Sequence, residues 1–563
     1  MLGLRVRPAI PPEELSMAPG PIEAVPVPAL LQRSVARFPA RPALSFMGRR
    51  WSYAALGAWV SRATRGLQDL GVRKGDRVGL CLPNTPYSVV FYHAALQAGA
   101  IVVNVNPLYV AHELRQMIRD SGATVMVVPD LAAICDKVLA VAAETGLRHV
   151  IVCPMASILP VSKAALWRVF HRRETAAPAF DDRIRPHAAI VANAAPPDPV
   201  TIDPADDIAV LQYTGGTTGT PKGAALTHAS VAINAQQVSR HMPSLRLGEE
   251  RVLGVLPFFH VFAMTAVMNS GLEIGAELLL HPRFEIARVM RALVRERPTV
   301  LHGVPTIYNA IATAAEQKKL DISSLRACIS GGAPLPAEVR ARFERLTGCR
   351  LVEGYGLTEA SPVLTCNPPD GRIKDGSVGV PLAGTTIEIR DLADPTRRLP
   401  PGERGEVCAR GPQLMRGYWQ RPEETARAFI DGALRTGDIG HLDEDGYLHI
   451  TDRLKDVILC GGYNVYPRVL EDALYQHPAV AEAIVIGVPD AYRGQAPKAF
   501  VTLRPGHAAT PEELQAFLAD FVSKIERPRE VEIRDTLPRT LIGKLSRKEL
   551  VEAERARTAG SAP

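Results

Sequence analysis

A chain of 563 residues is too long for one hydrophobic core and implies roughly two to four domains. Its 65 Lys and Arg against 59 Asp and Glu leave a formal charge of +6 with no long basic run, which excludes charge-driven nucleic-acid binding. Eight scattered cysteines without a C-x-x-C pair argue against a zinc site or a disulfide framework and fit a reducing cytoplasm.

Residues 1–27 contain no apolar stretch followed by a small-residue cleavage site, so they read as an untargeted lead-in. The apolar periodicity of Trp51–Gly71 predicts an amphipathic helix opened by Ser52 and Tyr53 and stopped by Gly71. Short β-rich runs follow at 76–82, 100–105, 123–128 and 149–153, separated by helical stretches with Gly and Pro punctuation. That alternation predicts an α/β fold with largely parallel, doubly wound sheets. Residues 154–205 are rich in Pro, Ala and Arg and read as a linker or insertion. Within it, Leu166, Val169 and Phe170 share one helical face. Arg168 and Arg172 point elsewhere, and Lys163 falls near the apolar edge. A solvated linker helix and a peripheral membrane contact through 155–175 both stay open.

The strand pattern resumes at 207–214, 299–305 and 326–334. Residues 252–272 are uncharged for a bilayer's length, but Pro257, His260 and Asn269 interrupt them. A buried strand–turn–helix is expected rather than a span. From about 375 the texture turns to short strands and tight turns, which predicts a small β-subdomain closing a large domain over 28–451. After a short connection at 452–456, residues 457–563 read as a separate α+β domain, with Thr510 and Glu513 in capping-box spacing ahead of one of its helices.

The run YTGGTTGTPKG, Tyr213–Gly223, looks like a phosphate loop yet departs from G-x-x-x-x-G-K-[ST]: Pro221 stands where the second glycine belongs, and Gly223 follows Lys222. A strand-like GAALTH follows it, so the next helix is expected near Thr227 and the helix dipole is missing from the loop. What remains for the β- and γ-phosphates of ATP is a nest of backbone N–H groups, threonine hydroxyls and one lysine.

With EGYGLTEASP (Glu353–Pro362), RTGDIG (Arg435–Gly440), DRLKDVILCGGYNVYP (Asp452–Pro467) and PRTLIGKL (Pro538–Leu545), the loop resembles, in order and spacing, the signatures of the adenylate-forming superfamily. That superfamily comprises acyl-CoA synthetases, luciferases and peptide-synthetase adenylation domains, and the resemblance covers roughly residues 28–552. It implies two doubly wound subdomains, a small β-subdomain and a mobile α+β C-terminal domain. It also implies ATP and CoA as co-substrates and Mg²⁺ as cofactor.

By this resemblance Thr214, Gly215, Gly216, Thr217, Thr218 and Lys222 restrain the departing pyrophosphate. Gly331 and Gly332 let backbone pass close to the adenine, Tyr355 offers it a flat face, and Thr358 touches the α-phosphate. Asp438 accepts from the ribose hydroxyls, with Arg453 as a second contact. Glu359 is the magnesium carboxylate, since hard cations take oxygen ligands; on its own it would read as a helix-start carboxylate. Lys544, on a loop ahead of a final helix whose Ser546 and Glu549 have capping-box spacing, would meet the substrate carboxylate and α-phosphate. His260, in the apolar PFFHVFAMT, would border the acyl pocket; by itself it reads more often as a satisfied core histidine. The C-terminal domain would swing about Lys455, exchanging Lys544 for Gly461 and Gly462, where glycines admit a pantetheine arm.

The acid is less legible. The Gly-Gly form of the loop is most similar to bacterial long-chain fatty-acid–CoA ligases. The apolar stretches 258–268 and 302–310 offer no Arg or Lys to pair a second carboxylate, which disfavours a dicarboxylate. Medium-chain and aryl acids, an acyl-AMP ligase, a non-enzymatic ATP-binding protein and a homodimer all stay open.

Overall fold

The computed structural model describes residues 21–214, 221–460, 463–490, 493–524, 526–540 and 545–559. Two large sheets form the body. The first has eight strands: Gly417–Tyr418, Lys222–Thr227, Ile208–Thr214, Ile101–Asn104, Arg77–Leu80, Val125–Pro129, His149–Cys153 and Ile184–Pro186. From Ile208–Thr214 onward every pairing is parallel, whereas Lys222–Thr227 and Gly417–Tyr418 add antiparallel. Central strands such as Val125–Pro129 are buried along their whole length, as parallel strands covered on both faces must be.

The second sheet has nine strands, with a parallel centre running from Leu351–Gly356 through Ala327–Gly331, Val300–Gly303, Arg251–Gly254 and Glu277–Leu280 to Pro42–Phe46. A third, antiparallel sheet joins Thr386–Arg390, Gly405–Arg410, Ala433–Leu442 and Leu448–Arg453. The fourth, around the hairpin Val480–Asp490 and Gly494–Leu503, belongs to the α+β C-terminal unit with helices Pro467–Tyr475, Pro511–Leu518 and Arg547–Ala559. This is the fold class that the strand–helix alternation predicts.

Local signals explain the element ends. The Ser52 hydroxyl accepts the Ala55 amide and starts the helix Tyr53–Asp69. Thr510 and Glu513 form the reciprocal box ahead of Pro511–Leu518. The uncharged 252–272 stretch folds as expected into the strand Arg251–Gly254, a turn and a buried helical segment, whose part Ala263–Asn269 is a π-helix. Among the described residues no helix is long and apolar enough to cross a membrane.

Within 154–205 the chain contributes more than a connection. It supplies the helix Val161–Phe170 and the edge strand Ile184–Pro186 of the first sheet. The short helix His187–Ile190 packs so closely on Gly66 that a Cβ there would overlap the Ile190 carbonyl. All eight cysteines are buried free thiols. Cys81, Cys135 and Cys153 lie with the first sheet, and Cys328, Cys349 and Cys366 with the second. Cys408 lies in the third and Cys460 in the fourth.

Candidate active site

The strand Ile208–Thr214 enters the glycine-rich loop and the chain returns as Lys222–Thr227, which sets Thr214 directly across from Lys222. Gly215, Gly216, Thr217 and Thr218 lie outside the described residues. The helix His228–Arg240 begins at the far end of the return strand, where the Thr227 hydroxyl accepts the Ser230 amide at 3.1 Å. Its positive end is therefore a strand's length from the loop, unlike a Walker helix.

The two-residue strand Gly417–Tyr418 pairs with Ala224 and Ala225, and the Trp419 amide donates to the Gly223 carbonyl. This places Lys222 Nζ 5.3 Å from the centre of the Tyr418 ring. The same ring's hydroxyl donates to Glu359 Oε1 at 2.7 Å. Burial, then the Glu359 carboxylate, push the Tyr418 phenol well up, so it stays a donor. Glu359 sits in a short 3₁₀ turn, Thr358–Ala360, and its carbonyl accepts the Met415 amide. Thr358 opens that turn, half-buried. Among the described residues no group of three or more His, Cys, Asp or Glu could hold a metal alone. A lone, pre-oriented carboxylate fits Mg²⁺, which takes one or two protein oxygens and completes its shell from phosphates and water.

Among the residues expected to meet the nucleoside, Gly331 closes the strand Ala327–Gly331 opposite Gly354. A Cβ on Gly331 would come within 3.1 Å of the Phe262 ring, and Gly332 takes φ +80°, a conformation glycine adopts without strain. Tyr355, third residue of the motif and on the strand Leu351–Gly356, donates its hydroxyl to Asp438 Oδ2 at 2.6 Å. Arg453, Asp438's register partner across the antiparallel ladder, places Nε 3.2 Å from Oδ1. Burial raises the Asp438 carboxyl, while Arg453 and the Tyr355 bond pull it back. Lys455 follows on the exposed turn. Partial desolvation, then the Arg453 charge, lowers its ammonium, and the charges of Asp456, Asp438 and Glu359 oppose that.

His260, expected to border the acid, lies within Pro257–Phe262. Asn84 fixes its approach: Nδ2 donates to the carbonyls of Gly254 and Leu256, and Oδ1 accepts the Phe258 amide. Gln212, bonded to Asn104, donates to the Phe259 carbonyl at 2.8 Å. His260 is half-buried, and its Nδ1 accepts the Phe262 amide at 3.3 Å, which places the proton of the neutral ring on Nε2. Behind it, a cavity walled by Leu80, Leu82, Tyr92, Phe258, Phe259 and Met268 encloses only ≈10 Å³. That is room for about one water.

Sequence reasoning missed several residues that position these groups. Glu353 heads the second motif; its Oε1 accepts the Leu335 amide, and burial pushes its carboxyl up to about 7 against the pull of Arg468. Asp452 heads the hinge motif; its Oδ2 accepts the Arg468 amide at 2.8 Å in the first turn of Pro467–Tyr475, and burial pushes it up to about 6. Arg547 opens the final helix, three positions past Lys544. It is forked onto Glu471 at 2.6 Å and lies 3.4 Å from Asp456. Lys544, Gly461 and Gly462 lie outside the described residues. Glu353 and Asp452 carry a usable signal, as first residues of motifs already singled out. Tyr418 and Asn84 carry none, because their partners are remote in sequence.

Comparison with known proteins identifies the family. Residues 31–419 match the AMP-binding enzyme family, and residues 469–544 match the AMP-binding enzyme C-terminal domain. The chain is 41% identical over 531 residues to a long-chain-fatty-acid–CoA ligase of Bacillus subtilis (strain 168), covering 93% of this chain and 94% of that protein. It is 38% identical over 508 residues to a feruloyl-CoA synthase of Amycolatopsis sp, covering 89% and 94%. The crystal structure of ATP-bound MatB from Rhodopseudomonas palustris superposes with a TM-score of 0.80 at 30% identity, covering 94% of this chain and 99% of that one. With these family matches and relatives aligned over most of its length, the chain belongs to the AMP-binding, adenylate-forming enzymes.

Proposed function

We propose that the protein is an ATP-dependent acid–CoA ligase that acts on a long-chain fatty acid. The carrying observation is the bridge through Tyr418, whose ring faces Lys222 and whose hydroxyl holds Glu359. One side chain thereby touches both the lysine that ends the glycine-rich run and the acidic residue of the second motif.

In this reading the acid's carboxylate attacks the α-phosphorus of ATP, the bond to the β,γ-pyrophosphate breaks, and acyl-AMP forms. A CoA thiol then displaces AMP. Two anions must meet, so positioning and positive charge matter more than proton transfer. Thr214, Lys222 and the loop residues 215–218 restrain the pyrophosphate. Thr358 faces the α-phosphate. Tyr355 lies against adenine, with Gly331 and Gly332 beneath it. Asp438 and Arg453 take the ribose. Glu359 would hold Mg²⁺, which when bound offsets phosphate charge. His260 borders the acid's carboxylate. Lys544 supplies the cation at the reacting centre. The connection at 452–456 separates a catalytic body, 28–451, from a C-terminal domain, 457–563, that turns about Lys455 to bring Gly461 and Gly462 to the thiol's path.

The 41% identity to a long-chain-fatty-acid–CoA ligase supports the long-chain reading. The 38% identity to a feruloyl-CoA synthase supports a second one, an aryl acid. A panel of acids from acetate to oleate plus coumarate, with pyrophosphate release followed with and without CoA, separates the two. Oleate as best substrate with CoA-dependent turnover is expected; coumarate as best substrate, or no CoA dependence, overturns the assignment. Lys544→Ala should slow acyl-AMP formation by about 10²–10³-fold while sparing thioester formation from supplied acyl-AMP. Equal loss of both half-reactions sinks the role given to Lys544.

A further inference from the structure

We propose that Asp120 is a positioning residue for ATP: its two carboxylate oxygens hold the strand that enters the phosphate loop and the turn that carries Tyr418. The inference rests on the nucleotide part of the reading above, and the identity of the acid does not enter it.

Asp120 is the last but one residue of the helix Ala111–Ser121. A carboxylate there lies at the negative end of the helix dipole, where cations are favoured. Its neighbour Arg119 obeys that rule and Asp120 does not. The helix alone gives no reason for an acid at this position; the reason lies in what the carboxylate meets. Oδ2 accepts the Tyr213 hydroxyl at 2.7 Å, and Oδ1 accepts Arg421 Nη2 at 2.6 Å. The two partners stand 93 and 301 positions away in the chain, so one half-buried side chain joins three distant segments.

Each partner leads directly to a residue given a role at the phosphates. Tyr213 precedes Thr214, and its ring lies over Gly223, where a Cβ would come within 3.2 Å of it. Gly223 follows Lys222, so this ring spans both legs of the loop. Burial, then the bond to Asp120, raises the Tyr213 phenol and keeps it a donor. Arg421 closes a tight turn with Tyr418. The Arg421 amide donates to the Tyr418 carbonyl, the Tyr418 amide donates to the Thr425 hydroxyl, and that hydroxyl donates to the Arg421 carbonyl. Asp120 thereby sets the spacing between the base of the loop and the ring that touches Lys222 and Glu359. A carboxylate that only braced the fold would affect every part of the nucleotide alike. One that spaces these two segments acts on the β- and γ-phosphates and leaves adenine and ribose to Tyr355, Asp438 and Arg453.

Titration calorimetry of the full chain with magnesium-ATP and, separately, with AMP tests this with no acid present. The wild type is expected to bind both. Asp120→Asn keeps the shape and removes the charge; it should weaken magnesium-ATP by about tenfold and AMP by less than about twofold. Tyr213→Phe and Arg421→Gln should each weaken magnesium-ATP as well, and Arg421→Gln should add nothing on top of Asp120→Asn. Equal weakening of both nucleotides, an additive double variant, or unchanged affinity for magnesium-ATP overturns the proposal. If Asp120→Asn does not fold, Tyr213→Phe, which removes a single hydroxyl, carries the same comparison of ATP with AMP. A wild type that binds neither nucleotide overturns the nucleotide reading itself, whereas variants that bind as the wild type does overturn only the role of Asp120.

Discussion

Tyr418 holds Glu359 by a single hydrogen bond while its ring faces Lys222, so its hydroxyl can be removed without disturbing the strand that carries it. Tyr418→Phe is expected to raise the KM for magnesium-ATP by about tenfold, as loss of a partner to a metal-ligating group does, with a smaller effect on the KM for the acid. Initial rates of pyrophosphate release at varied ATP measure it; equal changes for both substrates would contradict the role given to Glu359. Glu353 makes a pH-dependent prediction. Its carboxyl ionises near 4.5 in the unfolded chain and about 7 in the folded one, so the fold favours the neutral acid. Stability from this group is therefore complete below pH 4.5 and is lost as pH rises toward 7. Glu353→Gln keeps an acceptor for the Leu335 amide and removes the penalty. It should stabilise the protein by roughly 1–3 kcal/mol near pH 8 and not near pH 4.5, read from urea unfolding at both. At this scale the sequence names residues inside compact motifs, Lys222 and Glu359 among them. It cannot name Tyr418, because 59 positions separate it from the carboxylate it holds. A glutamate in a strand also looks ordinary until its burial is known.

Elements were more legible than contacts. The two strands read on either side of residues 215–220, with a helix starting at Thr227, hold because each has a local cause: a β-rich run before, a short β-rich return after, and a threonine cap. The same is true of the Thr510–Glu513 box. The strand–turn–helix expected for 252–272 holds too, but its π-helical character did not declare itself. That segment is fully buried and is held from outside by pairs such as Tyr92 with Asn269, which no local pattern encodes. Residues 154–205 show the opposite limit. Their composition says linker, yet three of them close the edge of the first sheet and His187 accepts the Trp59 indole N–H at 3.1 Å. Short strands with weak periodicity are recruited by a neighbour's edge rather than by their own propensity.

At the scale of the whole molecule, the C-terminal unit meets the body through contacts of unequal strength. Arg504 forks onto Glu338 of the helix Ala337–Thr347, but Glu338 is 62% exposed and such a pair is worth little in water. Asp452, buried and bonded to the Arg468 amide, is the firmer tie. The proposed turn about Lys455, which lies between those two residues in the chain, must break it. The distribution of sulfur gives that motion a clock. Each of the four sheets hides at least one thiol, so a water-soluble disulfide reagent reads local opening sheet by sheet, with mass spectrometry assigning every modified position. The native protein should react slowly at all eight sites. Cys460, beside the turn, should react ahead of Cys328 and Cys408, and ATP with a bound acid should change the Cys460 rate alone. Simultaneous modification of all eight would mean instead that the chain opens only as one unit.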